Sequence, residues 1–271
     1  MSTRFQSVGA RPVFIGVVHL GPTPGAPGFD RQAAGPGLGE LLEAARADAR
    51  ALVEGGVDGL IVENYGDVPF HAGAVPPETV AALALAVDAV GELASDVPVG
   101  VNVLRNDARA ALGICATTRA SFFRVNVHTG AMVTDQGLVE GRAAETLRMR
   151  AALAPDALVV ADVHVKHATP LGGETLVEAA EDAWHRGRAD VLVLTGSKTG
   201  RAVDGAELAL VRERLPEAPL WIGSGLDASN ADELLRHATG AIVGTSLKED
   251  GRVERPVDPA RVARLRRAFD G

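Results

Sequence analysis

The chain has 271 residues, of which 46% are hydrophobic and only 4% aromatic, so it can bury one large core built mainly from Ala, Val and Leu. No linker-like segment divides it, and we expect a single domain over residues 1–271. The formal net charge of −8 makes nucleic acid and anionic lipid poor partners, although backbone N–H groups can still bind a small phosphorylated molecule locally.

The first apolar stretch, Val13 to Leu20, is too short to span a bilayer, and no convincing signal-peptide pattern precedes it. Cys115 is the only cysteine, which excludes an intrachain disulfide and favours a reducing compartment. The sequence therefore predicts a cytoplasmic protein without membrane insertion.

Eight short apolar runs predict strands at Val13–Val18, Gly59–Val62, Val97–Val103, Ser121–Val127, Ala157–Val163, Asp190–Leu194, Leu220–Ile222 and Gly240–Val243. Helices are predicted after them at Leu38–Glu54, from Pro76-Pro77-Glu78, at Asp107–Ala116, Gly137–Leu153, Glu174–Arg188 and Gly205–Leu215, from a capping box of Ser229 and Asp232, and at Arg261–Phe269. Alternating strands and helices imply a parallel sheet, and eight such units are the number that closes a (β/α)8 barrel.

Two predicted connections are unusually long. Gly21–Gly37 is rich in Pro and Gly, and His128–Gln136 follows the fourth strand. In a barrel both would lie on the face that carries chemistry, where long loops often act as lids. A surface insertion is the alternative for each.

Polar side chains occupy the C-terminal ends of the first five predicted strands. Asp162, His164 and Lys166 have the same parity on the fifth strand, and charged residues are rarely buried unless paired, so we expect them to point into the barrel mouth. A salt-linked structural plug is the alternative. The first four strands contribute His19, Glu63, Asn64, Asn102, Arg124, Asn126 and His128. Converging strands would gather these groups at one site.

The last two predicted strands end in similar glycine turns, Gly223-Ser224-Gly225 and Gly244-Thr245-Ser246. Glycine lets the backbone approach an anion, and successive N–H groups can form a concave cradle. Because barrels commonly hold phosphate in the loops after strands seven and eight, we predict that these six residues bind phosphate. Turns required only for packing are the alternative.

The sixth predicted strand is followed by Thr195-Gly196-Ser197-Lys198-Thr199-Gly200. This segment lacks the spacing of a P-loop, so a nucleoside-triphosphatase of that type is rejected. Thr195 and Lys198 are predicted substrate contacts in a flexible loop, and a solvated Lys198 is the alternative.

Several kinds of chemistry stay open at this mouth. Asp162, His164 and Glu63 are candidate proton-transfer groups, and Lys166 is a candidate charge stabiliser or, with a lowered pKa, a Schiff-base former. The carboxylates and imidazoles leave divalent-metal binding open, although no HExxH or paired-cysteine spacing is present. No cofactor is identified by the sequence.

Long segments at the strand ends resemble the BtpA/SgcQ family: Gly16–Leu20, Val62–Phe70, Gly100–Asp107, Arg124–Gly130, Val133–Gly137, Ala161–Ala168, Gly223–Gly225 and Val243–Lys248. The resemblance covers nearly the whole chain, and Tyr65 and His164 vary from the family pattern. It implies a TIM barrel of the phosphate-binding type. It brings no established catalytic residues, so the roles given above rest on parity and chemistry.

The leading hypothesis is an enzyme of lyase, aldolase or isomerase type that acts on a phosphorylated small molecule, such as a sugar phosphate or nucleotide derivative. The family name comes partly from a photosystem I biogenesis factor, which implies the alternative of a non-catalytic accessory factor in membrane-complex assembly. A flavin-binding oxidoreductase barrel is a further alternative, and a coloured purified protein would reveal it. A homo-oligomer also stays open.

Overall fold

The computed structural model describes residues 11–29, 37–196 and 203–271. Its strands are β1 Val13–His19, β2 Gly59–Glu63, β3 Val99–Asn102, β4 Ala120–Val125, β5 Ala131–Thr134, β6 Gly137–Glu140, β7 Leu158–Val163, β8 Ala168–Pro170, β9 Val191–Leu194, β10 Leu220–Ile222 and β11 Gly240–Val243. Its α-helices are α1 Leu38–Glu54, α2 Pro77–Leu93, α3 Ala108–Thr117, α4 Ala143–Leu153, α5 Leu176–Glu181, α6 Gly205–Arg214, α7 Ala231–Leu234 and α8 Pro259–Asp270.

Eight parallel strands close into a barrel in the order β1-β11-β10-β9-β7-β4-β3-β2. The first strand pairs with β2 on one side and with β11 on the other, where Val13 lies opposite Gly240. All eight predicted strands are present in the barrel, and the predicted (β/α)8 TIM barrel is confirmed.

The barrel interior is filled by alternate residues of its strands, as the two-residue repeat of a strand requires. The buried interior cluster consists of Val13, Ile15, Val17, Ile61, Phe122, Val160, Val191, Val193, Trp221 and Ile242. A larger cluster of Ala, Val and Leu lies between the strands and the surrounding helices. Polar residues therefore occupy inward positions only one layer higher, at the C-terminal ends of the strands.

Polar caps mark several helix starts. Asp107 accepts a hydrogen bond from the backbone of α3, Asp258 does so for α8, and Thr175 and Glu178 form a capping box on α5. The cap predicted at Ser229 is wrong. α7 begins at Ala231, and the Ser229 hydroxyl donates to Asp227 instead, at 2.5 Å.

Two predicted helices differ from the observed ones. Residues 137–140 form strand β6 rather than the start of a helix, because Gly137 has a φ of +93° and turns the chain back onto β5. Strands β6, β5 and β8 form a small antiparallel sheet that includes much of the long connection after β4. The predicted helix Glu174–Arg188 is divided into α5 and a π-helical turn, Asp182–Arg186.

The other long connection is described up to Phe29, and Asp67 fixes its beginning. The Thr23 N–H and hydroxyl donate to the Asp67 carboxylate at 2.7 and 2.8 Å. This connects the loop after β1 to the loop after β2. Among the residues that the structure describes, no helix has the length and apolar character needed to cross a bilayer.

Candidate active site at the barrel mouth

A cavity of about 530 Å³ opens at the C-terminal ends of the barrel strands. The side chains of His19, Glu63, Arg124 and Lys166 contribute to its lining. The turns after β10 and β11, Gly223–Ser224–Gly225 and Gly244–Thr245–Ser246, contribute the rest of the predicted residues around it. A cavity of this size matches those that hold small-molecule ligands in proteins.

A hydrogen-bonded cluster of charged and amide groups forms the base of the mouth. Glu63, Asn102 and Arg124 lie in register on β2, β3 and β4, so their side chains point to the same side of the sheet. Arg124 donates to both carboxylate oxygens of Asp162, at 2.8 and 3.1 Å, and to Glu63 at 3.3 Å. Asn126 donates to Asp162 at 2.8 Å, and Asn102 donates to Glu63 at 3.2 Å. The Asp162 side chain has no exposed surface.

Two cations of the mouth, Arg124 and Lys166, differ in their electrostatics. Burial opposes the charge of Arg124, but Asp162 and Glu63 more than compensate and raise its pKa. Burial, followed by the charge of Arg124, lowers the pKa of Lys166 even though Glu63 and Asp162 act in the opposite direction. Within the described residues, the Lys166 amine has no hydrogen-bond or ion-pair partner. Lys166 therefore holds more neutral, nucleophilic amine at neutral pH than an ordinary lysine does.

His19 lies between the two walls of the cavity. Its ring packs edge-on against Tyr65, with ring centroids 4.9 Å apart, and it lies directly over Gly244. A Cβ atom at residue 244 would be only 2.4 Å from His19 Cε1, so only glycine leaves room for the ring. Burial, together with the charges of Lys248, Lys166 and Arg124, lowers the pKa of His19 to about 3. His19 is therefore neutral at physiological pH.

The neutral state of His19 predicts a pH-dependent stability. The unfolded histidine takes up a proton near pH 6.5, whereas the folded one does so only near 3, so acid favours unfolding between these values. Within this window, each pH unit of acidification should lower the free energy of unfolding of the wild type by up to about 1.4 kcal/mol more than that of His19→Gln. Urea unfolding of both proteins across the window measures the difference. Above about pH 7 the two proteins should show the same pH dependence, and parallel curves at acid pH would contradict the prediction.

Asn64 and His128 lie outside the lining of the main cavity. The Asn64 amide connects two loops, since it accepts from the Leu104 N–H at 2.8 Å and donates to Asp67 at 3.0 Å. His128 is buried, and its Nε2 atom lies 2.8 Å from the carbonyl oxygen of Gly187, just after the π-helical turn. Strand β4 ends at Val125, so the alternation that placed His128 with Arg124 stops before it.

His164 is also separated from the mouth. Its φ is +52°, directly after β7 ends, so the parity that relates it to Asp162 is broken there. The side chain lines a second cavity of about 30 Å³ together with Asn126, Glu174 and Asp182. Thr195 is buried, and its methyl carbon would lie 2.7 Å from a Cβ atom at Gly223, so it packs beside that turn. Lys198 lies outside the described residues.

The two glycine turns are joined to one another. The Ser246 hydroxyl of the second turn donates to the carbonyl oxygen of Leu226, directly after the first turn, at 2.8 Å. Ser224 Oγ accepts from the Gly196 N–H at 3.2 Å, which connects the first turn to the residues after β9. Gly225 has a φ of +73°, and Thr245–Leu247 form a 3-10 turn. The first N–H groups of such a turn have no partner within it, which leaves them free to meet an anion.

The sequence analysis missed two arginines that line the cavity and a third that contacts the backbone of Lys166. Arg261 and Arg264, on α8, line the cavity beside the glycine turns, and Arg261 donates to the Ser246 carbonyl at 3.4 Å. Their spacing of three residues on a predicted helix, just after the glycine turns, was the available signal. Arg105 is buried and donates to the Lys166 carbonyl at 2.6 Å, which fixes the backbone of that lysine.

The described residues contain no group of three or more His, Cys, Asp or Glu side chains placed to hold a metal ion. What the mouth does offer is backbone N–H groups and arginines for an anion, next to a carboxylate and an amine. This arrangement can bind a phosphate group at one side and transfer protons or stabilise charge at the other.

Comparison with known proteins gives matches in sequence and in structure. The model of the BtpA family matches residues 10–271. The photosystem I biogenesis protein BtpA of Synechocystis sp. is 45% identical over 259 residues, which cover 96% of this chain and 88% of that protein.

Two solved structures align over nearly the full length. Thiamine phosphate pyrophosphorylase from Pyrococcus furiosus aligns with a TM-score of 0.58 and 14% identity, over 96% of this chain and 95% of that one. Phosphoribosyl anthranilate isomerase from Thermus thermophilus aligns with a TM-score of 0.57 and 14% identity, over 95% of this chain and 98% of that one. At this level of identity the two structures share the barrel fold with this chain.

Proposed function

This chain belongs to the BtpA family, and from the geometry of its mouth we propose that it is an enzyme acting on a phosphorylated small molecule. The observation that carries the proposal is the cavity of about 530 Å³, in which two glycine turns and two arginines face a carboxylate and an amine. The reaction class that these groups support is a lyase, aldolase or isomerase reaction, since each needs proton transfer and charge stabilisation beside a held substrate.

The phosphate group would bind to the turns Gly223–Ser224–Gly225 and Gly244–Thr245–Ser246. Arg264 supports this position, because it lines the cavity, is exposed, and makes no ion pair with any described residue. The two barrels that share the fold are named for a thiamine phosphate and a phosphoribosyl compound, which is in keeping with a phosphate at this place.

We assign proton transfer to Glu63 and charge stabilisation to Arg124 and Lys166, since all three line the cavity. Asp162 was a candidate for proton transfer in the sequence, but both of its oxygens are engaged by Arg124 and Asn126. Its role in the proposal is therefore to position Arg124. Asn102 holds Glu63 in the same way, at 3.2 Å.

Phosphorylated compounds should raise the melting temperature of the protein, since a ligand that binds only the folded state stabilises it. The screen compares sugar phosphates and nucleoside monophosphates with the same compounds lacking phosphate, and includes inorganic phosphate. For the best compound, Arg264→Ala should weaken binding about tenfold, equivalent to about 1.4 kcal/mol. Titration calorimetry measures the dissociation constants.

The matched control is Arg267→Ala, which removes an exposed arginine from the same helix but not from the cavity lining. It should bind as the wild type does, which separates a local contact from the general effect of net charge. If no phosphorylated compound is preferred over its parent, or if both variants weaken binding equally, the proposal is wrong.

A second candidate function is that of an accessory factor in photosystem I biogenesis, favoured by the name of the Synechocystis relative. The two functions can be separated in a cyanobacterium that lacks that relative. Restoration of photosystem I by a variant with both Glu63→Gln and Lys166→Met would favour the accessory role, whereas failure of a stably folded variant would favour catalysis.

A further inference from the structure

The chain uses arginine for nearly all of its positive charge, and only three of its 27 basic residues are lysines. Arginine serves in exposed pairs, such as Arg46 with Glu43, and in the fully buried pair of Arg124 with Asp162. The three lysines are Lys166, Lys198 and Lys248, and each follows a barrel strand, β7, β9 and β11 respectively. A guanidinium group stays protonated in proteins, so only a lysine can supply a neutral amine.

Lys248 does not explain the pattern by catalysis. Lys248 is buried in an ion pair with Asp48, so its amine is engaged in holding the structure together. Lys198 lies outside the described residues. Lys166 is half-buried, and among the described lysines it is the one that lines the cavity.

The surroundings of Lys166 suit a nucleophilic amine. No described side chain accepts a hydrogen bond from its amine. The Arg105 guanidinium donates to the Lys166 backbone carbonyl at 2.6 Å and so fixes the backbone from which the side chain extends. Arg124 and Arg105 disfavour a further positive charge, and Glu63 and Asp162 favour it. Burial is the largest influence, and the net result is a lowered pKa. A lysine beside other cations in a desolvated site is one of the known ways to activate an amine.

We propose that the substrate carries a carbonyl group as well as a phosphate, and that Nζ of Lys166 forms an imine with the carbonyl carbon at this mouth. This inference rests on the proposed function, and it narrows the substrate to phosphorylated aldehydes or ketones. The glycine turns hold the phosphate, and Lys166 lines the same cavity.

The step balances without an added oxidant or reductant. The neutral amine donates its electron pair to the carbonyl carbon, and the carbonyl oxygen takes up one proton from the attacking nitrogen and one from solvent and leaves as water. The resulting protonated imine accepts the electron pair of a C–H or C–C bond broken at the neighbouring carbon, which gives an enamine. Glu63 takes the released proton, which comes from the broken C–H bond or, when a C–C bond breaks, from the hydroxyl group of the departing carbon, and that fragment leaves as an aldehyde. Glu63 returns the proton to the enamine carbon, and water then hydrolyses the imine and frees Lys166.

Reductive trapping tests the proposal. The purified protein is incubated with dihydroxyacetone phosphate or glyceraldehyde 3-phosphate and sodium borohydride, and the adduct is located by intact mass and peptide mapping. We expect one adduct per chain on Lys166, formed about tenfold faster than with unphosphorylated dihydroxyacetone or glyceraldehyde, which lack the phosphate anchor. Lys248 in the same digest serves as the internal control, and the labelling of Lys198, a predicted substrate contact, is measured beside it. Lys166→Arg should abolish the adduct on residue 166 while melting as a folded protein.

The outcomes separate this inference from the proposed function. A melting-temperature increase with phosphorylated compounds but no adduct on Lys166 overturns the imine and leaves phosphate binding standing. Equal labelling of Lys198 and Lys166 would show that Lys166 is not the selective imine-forming amine and also overturns it. A Lys166 adduct that forms equally fast without phosphate supports the amine chemistry but contradicts the phosphate anchor. The trapping rate should also reach its plateau at a pH below the ordinary lysine pKa of 10.5.

Discussion

Replacing Asp162 with alanine should lower the free energy of unfolding by about 3–5 kcal/mol, because removing one partner of a buried ion pair leaves the other charge uncompensated. Arg124 is only 5% exposed, and two of its three hydrogen bonds within the cluster go to Asp162. Glu63 would remain as its single carboxylate partner, at 3.3 Å. The Asn126 amide would lose its acceptor as well. Equilibrium unfolding in guanidinium chloride measures the loss.

The control is Glu43→Gln, which breaks the exposed pair with Arg46 on α1. Exposed pairs contribute at most about 1 kcal/mol, so this variant should unfold almost as the wild type does. A loss below about 1 kcal/mol in Asp162→Ala would show that Glu63 alone can neutralise Arg124. In that case the cluster would contribute little to the stability of the barrel.

A comparable loss, about 3–5 kcal/mol, is expected for Lys248→Met, because it leaves the Asp48 carboxylate buried without its cation. Lys248 is 2% exposed and Asp48 8%. Asp48 also accepts the Val257 N–H at 2.8 Å, so the pair connects α1 to the segment that leads into α8. Urea unfolding with circular dichroism detection measures the effect.

A double variant distinguishes the charge from the packing. Asp48→Asn with Lys248→Met removes both charges, while the asparagine oxygen can still accept the Val257 N–H. Replacing both partners of a buried pair is often neutral, so most of the stability should return, to within about 1 kcal/mol of the wild type. If the double variant is as unstable as the single one, the loss comes from altered packing, and the ion pair is not its cause.

The barrel itself was readily predicted from the sequence because its strands are short apolar runs bounded by glycine and polar residues. The β5–β6 hairpin was missed since Leu138 and Val139 lie a few residues before α4, and so short a run cannot be distinguished from a helix start. Local propensity did not reveal the turn at Gly137 that reverses the chain.

Strand parity predicted which side chains meet only where the strands stay regular. Glu63, Asn102, Arg124 and Asp162 meet as the alternation requires. Beyond the last residue of a strand the rule fails, as the positive φ of His164 shows. The arginines of α8 lie on a helix, to which the alternation of side chains along a strand does not apply.

The closing contacts of the barrel also determine when the chain can fold during synthesis. β1 finds its second neighbour only in β11, and Asp48 finds its cation 200 residues later in sequence. Until Val243 has left the ribosome, a nascent chain therefore carries one strand edge of β1 with no native partner. Unpaired edges recruit other strands, so the nascent chain is most open to mispairing until β11 has been made.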